Sequence, residues 1–330
     1  MPGADPPAAV RLGIDVGGTK ILGVALPAAE GSGEPVLLAE HEQPTRAGAA
    51  VLDAIDEVVG ALLEGVRADV GPPELRGIGV GMPGLVSRGG VLRYGPNLPG
   101  AGDLDVAAWL APRRRCPVVV DNDGDCAAWA EVGLGAGRGS DHVVFVGLGT
   151  GISCGMVVEG RRVRGVHGFA GEPGHMTIVP GGAGCACGRQ GCWEAYASGS
   201  ALARQAAEAA AAGRLAAAVA RAGSAAAVRG EHLSEALRSG DPEAAAVADR
   251  FADWVGLGVA NLVHLLDPEV VVVGGSVMSE VALWEHRVRR AYRRHVLGGG
   301  LRPRTTVAAA HLGRRAGAIG AALLINALQA

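Results

Sequence analysis

Twice along this chain an apolar run of strand length breaks at a short Gly/Thr turn and resumes as a second apolar run. The first copy spans Leu12 to Leu26 and breaks at Gly17-Gly18-Thr19; the second spans Val143 to Val158 and breaks at Gly149-Thr150-Gly151. A hairpin repeated in successive halves points to two related domains, with two unrelated glycine-rich hairpins as the alternative. Further strands are expected over 77–80, over 117–120 ending at Asp121-Asn122-Asp123, and over the four valines 270–273. Helical spacing covers 49–66, with Val51, Ile55, Val58, Val59, Leu62 and Leu63 on one side, and a helix is expected from Asp241-Pro242 to Leu266. The Ala-rich stretch 200–237 reads as helices with loose linkers, and a last helix starts near Ala316. Strands alternating with helices make this an α/β chain.

Length supports two domains: 330 residues exceed a usual single core. Aromatic residues are only 3%, so Val, Leu, Ile and Ala must fill that core. A net charge of -3 gives no basic footprint for nucleic acid. The runs Arg113–Arg115 and Arg287–Arg294 read as solvated helix faces. Residues 1–9 hold Asp5 and three prolines and no apolar segment, so no export signal is expected there. The weakly polar stretch 316–330 is shorter than the ~20 residues that span a bilayer. A cytoplasmic chain with no membrane partner is the expectation, and its cysteines should be reduced.

Phosphate chemistry fits the glycine turns. In Asp15-Val16-Gly17-Gly18-Thr19-Lys20 the glycines let backbone amides approach phosphate oxygens, Thr19 adds a hydroxyl, Lys20 adds a cation, and Asp15 ends a strand where it could hold hydrated Mg²⁺. Gly149-Thr150-Gly151 repeats the pattern, and Gly274-Gly275-Ser276 could receive a nucleoside against the backbone. Each of these also fits an ordinary turn. Asp121-Asn122-Asp123 offers a carboxylate for an acceptor hydroxyl and an amide suited to a sugar diol, or else an Asx-rich turn. Between residues 172 and 194 the signal is more specific. Cys185, Cys187 and Cys192 place three thiols in one loop, and His175 stands ten positions upstream. That donor set suits a closed tetrahedral structural Zn²⁺ site, three buried free thiols being the alternative. Glu172 and Glu194 flank the loop and are good acceptors for sugar hydroxyls.

Together these motifs resemble the ROK family of bacterial sugar kinases and repressors, and within it the actinobacterial-type glucokinase branch. Besides the runs already named, the resemblance rests on Gly81-Met82-Pro83-Gly84, Pro96-Asn97-Leu98-Pro99-Gly100, Glu172-Pro173-Gly174-His175, the run Cys185 to Glu194, and Asp267-Pro268-Glu269 leading to Gly274-Gly275. It covers the chain from about Val10 to Ala327. It implies an actin-like ATPase, hexokinase-type (ribonuclease H-like) duplicated fold of two α/β domains with a cleft. The smaller domain would hold residues 1–121 plus 314–330, and the larger 122–313 with the zinc loop at 175–192. It implies a glucokinase that moves the ATP γ-phosphoryl group to the 6-hydroxyl of glucose. Asp123 aligns with the family's catalytic base, and Asn97, Asn122, Glu172, His175 and Glu194 with its sugar contacts. Asp15, Gly17, Gly18, Thr19 and Lys20 match one phosphate motif, and Gly149, Thr150 and Gly151 the other. His175, Cys185, Cys187 and Cys192 match the zinc ligands. The family works as homo-oligomers, dimers or tetramers. Other hexoses or N-acetylhexosamines as acceptor, polyphosphate as donor, and a sugar-responsive regulator are the alternatives. A repressor needs a DNA-binding helix-turn-helix ahead of the first hairpin, where only nine residues precede Val10.

Three positions depart from the family pattern. Asp123 is followed by Gly124-Asp125-Cys126 in place of Ala-Asn-Ala; the extra carboxylate of Asp125 either raises the pKa of the base or faces solvent. Pro173 stands where an aliphatic residue is usual and would stiffen the turn. The stretch after Asn97-Leu98-Pro99-Gly100 lacks a tryptophan.

Overall fold

The structure is a computed structural model and describes residues 8–29 and 34–328. Residues 1–7, read above for an export signal, lie outside the described residues. Packing divides the chain into two units. Unit 1 draws on Met1–Asp141, Gly155–Gly171 and His311–Ala330; unit 2 comprises His142–Cys154 and Glu172–Ala310.

Unit 1 opens with strands β1 (Ala9–Val16), β2 (Lys20–Pro27) and β3 (Ala39–Pro44), followed by helix α1 (Ala50–Val70) and strand β4 (Glu74–Met82). Three short strands, β5 (Leu85–Val86), β6 (Val91–Tyr94) and β7 (Leu104–Asp105), form a small sheet of their own. Helix α2 (Val106–Arg114), strand β8 (Val118–Asn122) and helix α3 (Asp123–Leu134) complete this stretch. The main sheet has the order β3-β2-β1-β4-β8. Strands β1 and β2 form the expected antiparallel hairpin, with Asp15 opposite Leu22, while β4 runs parallel to both β1 and β8. The parallel centre reads as continuous apolar sequence because both its faces are covered. On one face, α1 buries Val51, Ile55, Val58, Val59 and Leu62 as its spacing implied, while Leu63, also singled out, is only partly buried. Strand β3, Ala-Glu-His-Glu-Gln-Pro, escaped the sequence reading. It is a polar edge strand whose proline ends the ladder, so it carries no apolar alternation to find.

Unit 2 contains β9 (Val143–Leu148), and the chain re-enters unit 1 within β10 (Ile152–Val158), followed by β11 (Arg161–Arg162). Four helices then precede the long one: α4 (Glu194–Ala197), α5 (Gly199–Ala211), α6 (Ala216–Ala222) and α7 (Gly230–Arg238). Helix α8 (Pro242–Leu266) begins and ends as expected. Asp241 accepts bonds from the amides of Glu243 and Ala244 at 2.8 and 3.2 Å, and Asp267 stops the helix at φ 45°. Strand β12 (Val270–Gly274), helix α9 (Val281–His295) and strand β13 (Thr306–Ala309) follow. The second sheet has the order β11-β10-β9-β12-β13, with the fully buried β12 parallel to both neighbours.

Helix α10 (Ala316–Leu323) returns to unit 1 and packs on β1, β2, β4 and α3. Small residues allow that approach. A Cβ at Gly13 would overlap the carbonyl of Ala318, one at Gly79 the carbonyl of Ala321, and one at Gly320 the carbonyl of Cys126. Among the described residues no helix is long and apolar enough to cross a membrane.

Two expectations need correction. Strand β8 ends in more than an Asx turn: it continues through Asp121 and Asn122, the Asn122 side chain accepts from the Gly124 amide, and α3 starts at once with Asp123. The basic runs are not simply solvated either. Arg114 is partly buried against Asp56, whose carboxylate and carbonyl it holds at 2.5 and 2.6 Å. On α9, Arg287 is 14% exposed and tied to Asp249 of α8.

Candidate functional site

In unit 1 the strand ends bring two carboxylates together. Asn122 makes the junction by capping α3: its side-chain oxygen accepts from the amides of Gly124 and Asp125 at 2.8 and 3.2 Å, and its Nδ2 donates to the Gly84 carbonyl at 3.0 Å. Asp123 therefore stands on the first turn of a helix, where the backbone dipole favours its anion. It also accepts from the Gly124 amide at 2.8 Å. Burial outweighs these amides and pushes its pKa up to about 6. Asp15, at the end of β1, is pushed to about 7, by burial first and by the neighbouring Asp123 carboxylate second. Gly81 leaves the room between them: a Cβ there would lie 3.5 Å from Cα of Asp123 and 3.7 Å from Oδ1 of Asp15. The start of α10 closes on the same point, since a Cβ at Gly317 would lie 2.6 Å from the Asp15 carboxyl carbon. Two carboxyls so placed repel one another, and a cation beside Asp15 would relieve both.

The first glycine turn lies beside them. The Gly17 amide donates to the Lys20 carbonyl at 2.8 Å, and the Thr45 hydroxyl donates to the Gly17 carbonyl at 2.7 Å. At position 18 a Cβ would come within 3.0 Å of the Asn97 carbonyl, so the exposed Asn97 sits directly against the turn. Thr19 is exposed at its tip. Lys20 is spoken for: its ammonium pairs with Glu42 at 2.9 Å. Asn97, Asn122, Asp123, Asp15 and the first turn thus belong to one unit.

Two charged groups next to this site, Arg162 and Arg164, went unnoticed in the sequence. Asp121 is buried and paired with Arg162 and Arg164, the latter at 2.9 Å. Nothing local marks the two arginines, which come from the excursion of residues 155–171 into unit 1. Asp125 does not face solvent. It is 1% exposed, neither carboxylate oxygen has a hydrogen-bond partner among the described residues, and burial followed by the Asp121 charge pushes it up to about 8.

Unit 2 holds the remaining candidates. Its glycine loop is braced on three sides. The Gly199 amide donates to the Gly149 carbonyl at 2.7 Å, the Ser200 hydroxyl to the Thr150 carbonyl at 2.8 Å, and the Ile152 amide to Glu194 Oε2 at 2.9 Å. A Cβ at Gly151 would overlap that same carboxylate oxygen. A cavity of about 450 Å³ opens beside Gly149 and Thr150 and is bounded by Ser276, Val277, Glu231 and Glu280. Gly274 and Gly275 are not in its wall. Gly275 makes the turn instead, at φ 87°, with its α-carbon close to the backbone of Leu148.

The cysteine loop folds around a common point. The candidate ligand atoms of His175, Cys185, Cys187 and Cys192 all lie within 4.8 Å of one another. Cys187 Sγ and Cys192 Sγ are 3.7 Å apart, and Cys185 Sγ is 3.8 Å from His175 Nδ1. Tetrahedral bonds of about 2.3 Å to zinc put sulfurs about 3.8 Å apart, so the cluster fits the ion. The thiols also need a cation if all are to ionise. Burial and the neighbouring thiols hold Cys185 up at about 12, whereas Arg189 and those neighbours offset burial to bring Cys187 down to about 7. Gly191, at φ 77°, lets the loop pass Val179, and the fully buried Trp193 anchors it on α8 through a 2.8 Å bond to the Trp254 carbonyl. Pro173 opens a 3₁₀ turn, Pro173–His175, that sets the His175 ring 4.0 Å from the Glu172 carboxylate. Glu194 lies 3.6 Å from Cys185 Sγ as well as on the glycine loop, so one side chain joins cluster and loop.

The model of the ROK family matches residues 11–327, nearly the whole chain. The chain belongs to the ROK family. A glucokinase of Streptomyces coelicolor is 38% identical to this ROK chain over 317 residues, 95% of it and 96% of the relative. Among solved structures, a ROK family glucokinase from Streptomyces griseus in complex with glucose and AMPPNP superposes with a TM-score of 0.86 at 37% identity, over 96% of this chain and 99% of that one. A ROK hexokinase from Thermus thermophilus gives 0.76 at 34% identity, over 97% and 100%. The fold is therefore the actin-like, hexokinase-type α/β fold that the motifs implied.

Proposed function

We propose that this ROK protein is an ATP-dependent glucokinase that transfers the γ-phosphoryl group of ATP to the 6-hydroxyl of glucose. One observation carries the reading: Asp123 stands on the first turn of α3, raised to about 6, in electrostatic contact with Asp15 beside a glycine turn. A carboxylate so tuned is ionised at neutral pH yet basic enough to accept a proton from a hydroxyl as the bond to phosphorus forms. Asn97 and Asn122 in unit 1 and Glu172, His175 and Glu194 in unit 2 are the groups that would bind and orient the sugar hydroxyls. Backbone amides of Gly17, Gly18 and Thr19, and of Gly149, Thr150 and Gly151, are placed in turns suited to phosphate oxygens. Mg²⁺ arriving with ATP would neutralise phosphate charge, and Asp15 is the residue that fits it. Zn²⁺ held by His175, Cys185, Cys187 and Cys192 is structural in this reading: four protein ligands leave no open position. A homo-oligomer is the expected assembly.

A coupled kinase assay across glucose, mannose, fructose, N-acetylmannosamine and N-acetylglucosamine, each with ATP and with polyphosphate, tests the assignment. Glucose with ATP should give the highest kcat/KM. A higher value for another acceptor, or for polyphosphate, would overturn the substrate assignment, and no turnover with any pair would overturn the kinase reading.

A further inference from the structure

Helix α9 carries five arginines and a histidine between Arg287 and His295, and the structure sorts them by partner. Arg287 and Arg290 pair with Asp249 of α8, the latter at 2.8 Å. Arg294 and His295 pair with Asp253, at 2.5 and 2.9 Å. Arg289 is held by Glu285 at 2.9 Å and by the Val307 carbonyl at 2.6 Å. Arg293 is left over: among the described residues no carboxylate lies within ion-pair distance of it, and the same holds for Arg304, in the segment before β13.

These two unmatched arginines share a cavity of about 340 Å³ between α9 and β13, and Arg289 and Arg302 line it too. Arg302 is anchored by Asp267. No Asp or Glu lies in its wall. Isolated exposed arginines need no explanation, but here two guanidinium groups without a carboxylate partner, Arg293 and Arg304, line one small space and repel one another unless an anion joins them. Guanidinium forks match phosphate oxygens two at a time, and those of Arg293 and Arg304 are not taken up by carboxylates. The rest of the wall has a different character: Tyr292, Val296 and Val307 are buried apolar bodies, able to take carbon rather than charge. At about 340 Å³ the space is at the small end of ligand pockets and large enough for a phosphorylated hexose. It shares no wall residue with the cavity beside Gly149 and Thr150.

We propose that the arginine-lined cavity between α9 and β13 is a second ligand site, separate from the phosphate loops, that binds a compact organic phosphate. Arg293 and Arg304 grip the phosphate, Arg289 and Arg302, each held by its own carboxylate, frame the site, and Tyr292 and Val296 cover the body of the ligand.

Isothermal titration tests this with three probes: inorganic phosphate, pyrophosphate and glucose 6-phosphate. Saturating glucose and AMPPNP keep the catalytic groups occupied. Glucose 6-phosphate should bind saturably, more tightly than inorganic phosphate or pyrophosphate, and more weakly as salt rises. The double variant Arg293→Ala/Arg304→Ala should lose at least about tenfold in affinity, the scale of one charge-assisted hydrogen bond. Arg290→Ala, on the α8 side of the helix, should bind as the parent does. Unchanged thermal unfolding and turnover in the double variant exclude misfolding, and single Arg293→Gln and Arg304→Gln variants serve if it does not fold. Absence of saturable binding at millimolar probe, or equal affinity in parent and double variant, overturns the site. Inorganic phosphate binding as tightly as glucose 6-phosphate overturns the organic body of the ligand.

Discussion

Replacing Asp125 with asparagine should stabilise unit 1, by an amount that grows with pH. The carboxyl is buried, lacks a hydrogen-bond partner among the described residues, and is held at about 8 by burial, with the charges of Asp121 and Asp123 raising it and those of Arg162 and Arg164 lowering it. In the unfolded chain it titrates near its ordinary value of about 3.9. Between those values the unfolded state gives up the proton and the folded state keeps it. Folding then binds a proton, so stability falls as pH rises, by about 1.4 kcal/mol per pH unit from ~4 to ~8. Below pH ~4 both states are protonated and the penalty vanishes; above pH ~8 it is complete. Asparagine keeps the shape of the neutral acid and has no such linkage. Its amide must be seated without ready partners, but that cost is the same at every pH and cancels in a difference. From pH 5 to pH 8 the advantage of Asp125→Asn over the parent should therefore widen by roughly 4 kcal/mol. Urea unfolding at pH 5, 6.5 and 8, followed through Trp109 and Trp129 of unit 1, measures it. A flat difference across that range, or one that shrinks with pH, would refute the reasoning.

Asp123→Asn should lower kcat by at least about 10²-fold with little change in glucose binding, read by steady-state kinetics beside calorimetry. Because the base must be ionised, kcat/KM of the parent should rise with pH through about 6 and then level, a limb that a pH-rate profile either contains or lacks. Cys187→Ala should release the metal, seen as zinc lost by elemental analysis; a parent protein free of zinc would defeat the structural-metal reading. Gly320→Ala would push a methyl group into the Cys126 carbonyl and should destabilise unit 1 by about 3 kcal/mol or more, measured by chemical unfolding.

Much of this architecture could be read from the residues because local chemistry and long-range role coincide there. Asp241-Pro242 both begins a helix and caps it, and four consecutive β-branched valines ended by Gly274-Gly275 favour a strand covered on both faces, as β12 is. The cysteine loop is similarly self-contained, since its ligands come from one short segment whose glycines permit the turns. What escaped was decided by distant sequence. Asp125 looked as free to face water as to be buried, and only the packing around α3 settles it. The partners of Asp121 come from Arg162 and Arg164, some forty residues on, with no pattern linking them. Lys20 suggested a phosphate ligand, yet the polar edge strand β3 supplies Glu42 to hold it. The basic run on α9 looked like one face, but its members divide by which side of the helix α8 occupies.

Helix α10 has a bearing on how the protein is made. Its backbone fills the gap left by Gly13 and Gly79, on strands formed from the opening third of the chain. During translation those strands emerge with one side bare, and they stay bare until the ribosome has passed residue 323. At 5–20 residues per second that interval is on the order of ten seconds or more, during which unit 2 can already fold around its own sheet. Nascent unit 1 is thus the stretch that most needs shielding from aggregation, and a premature stop anywhere before α10 should leave it unable to mature.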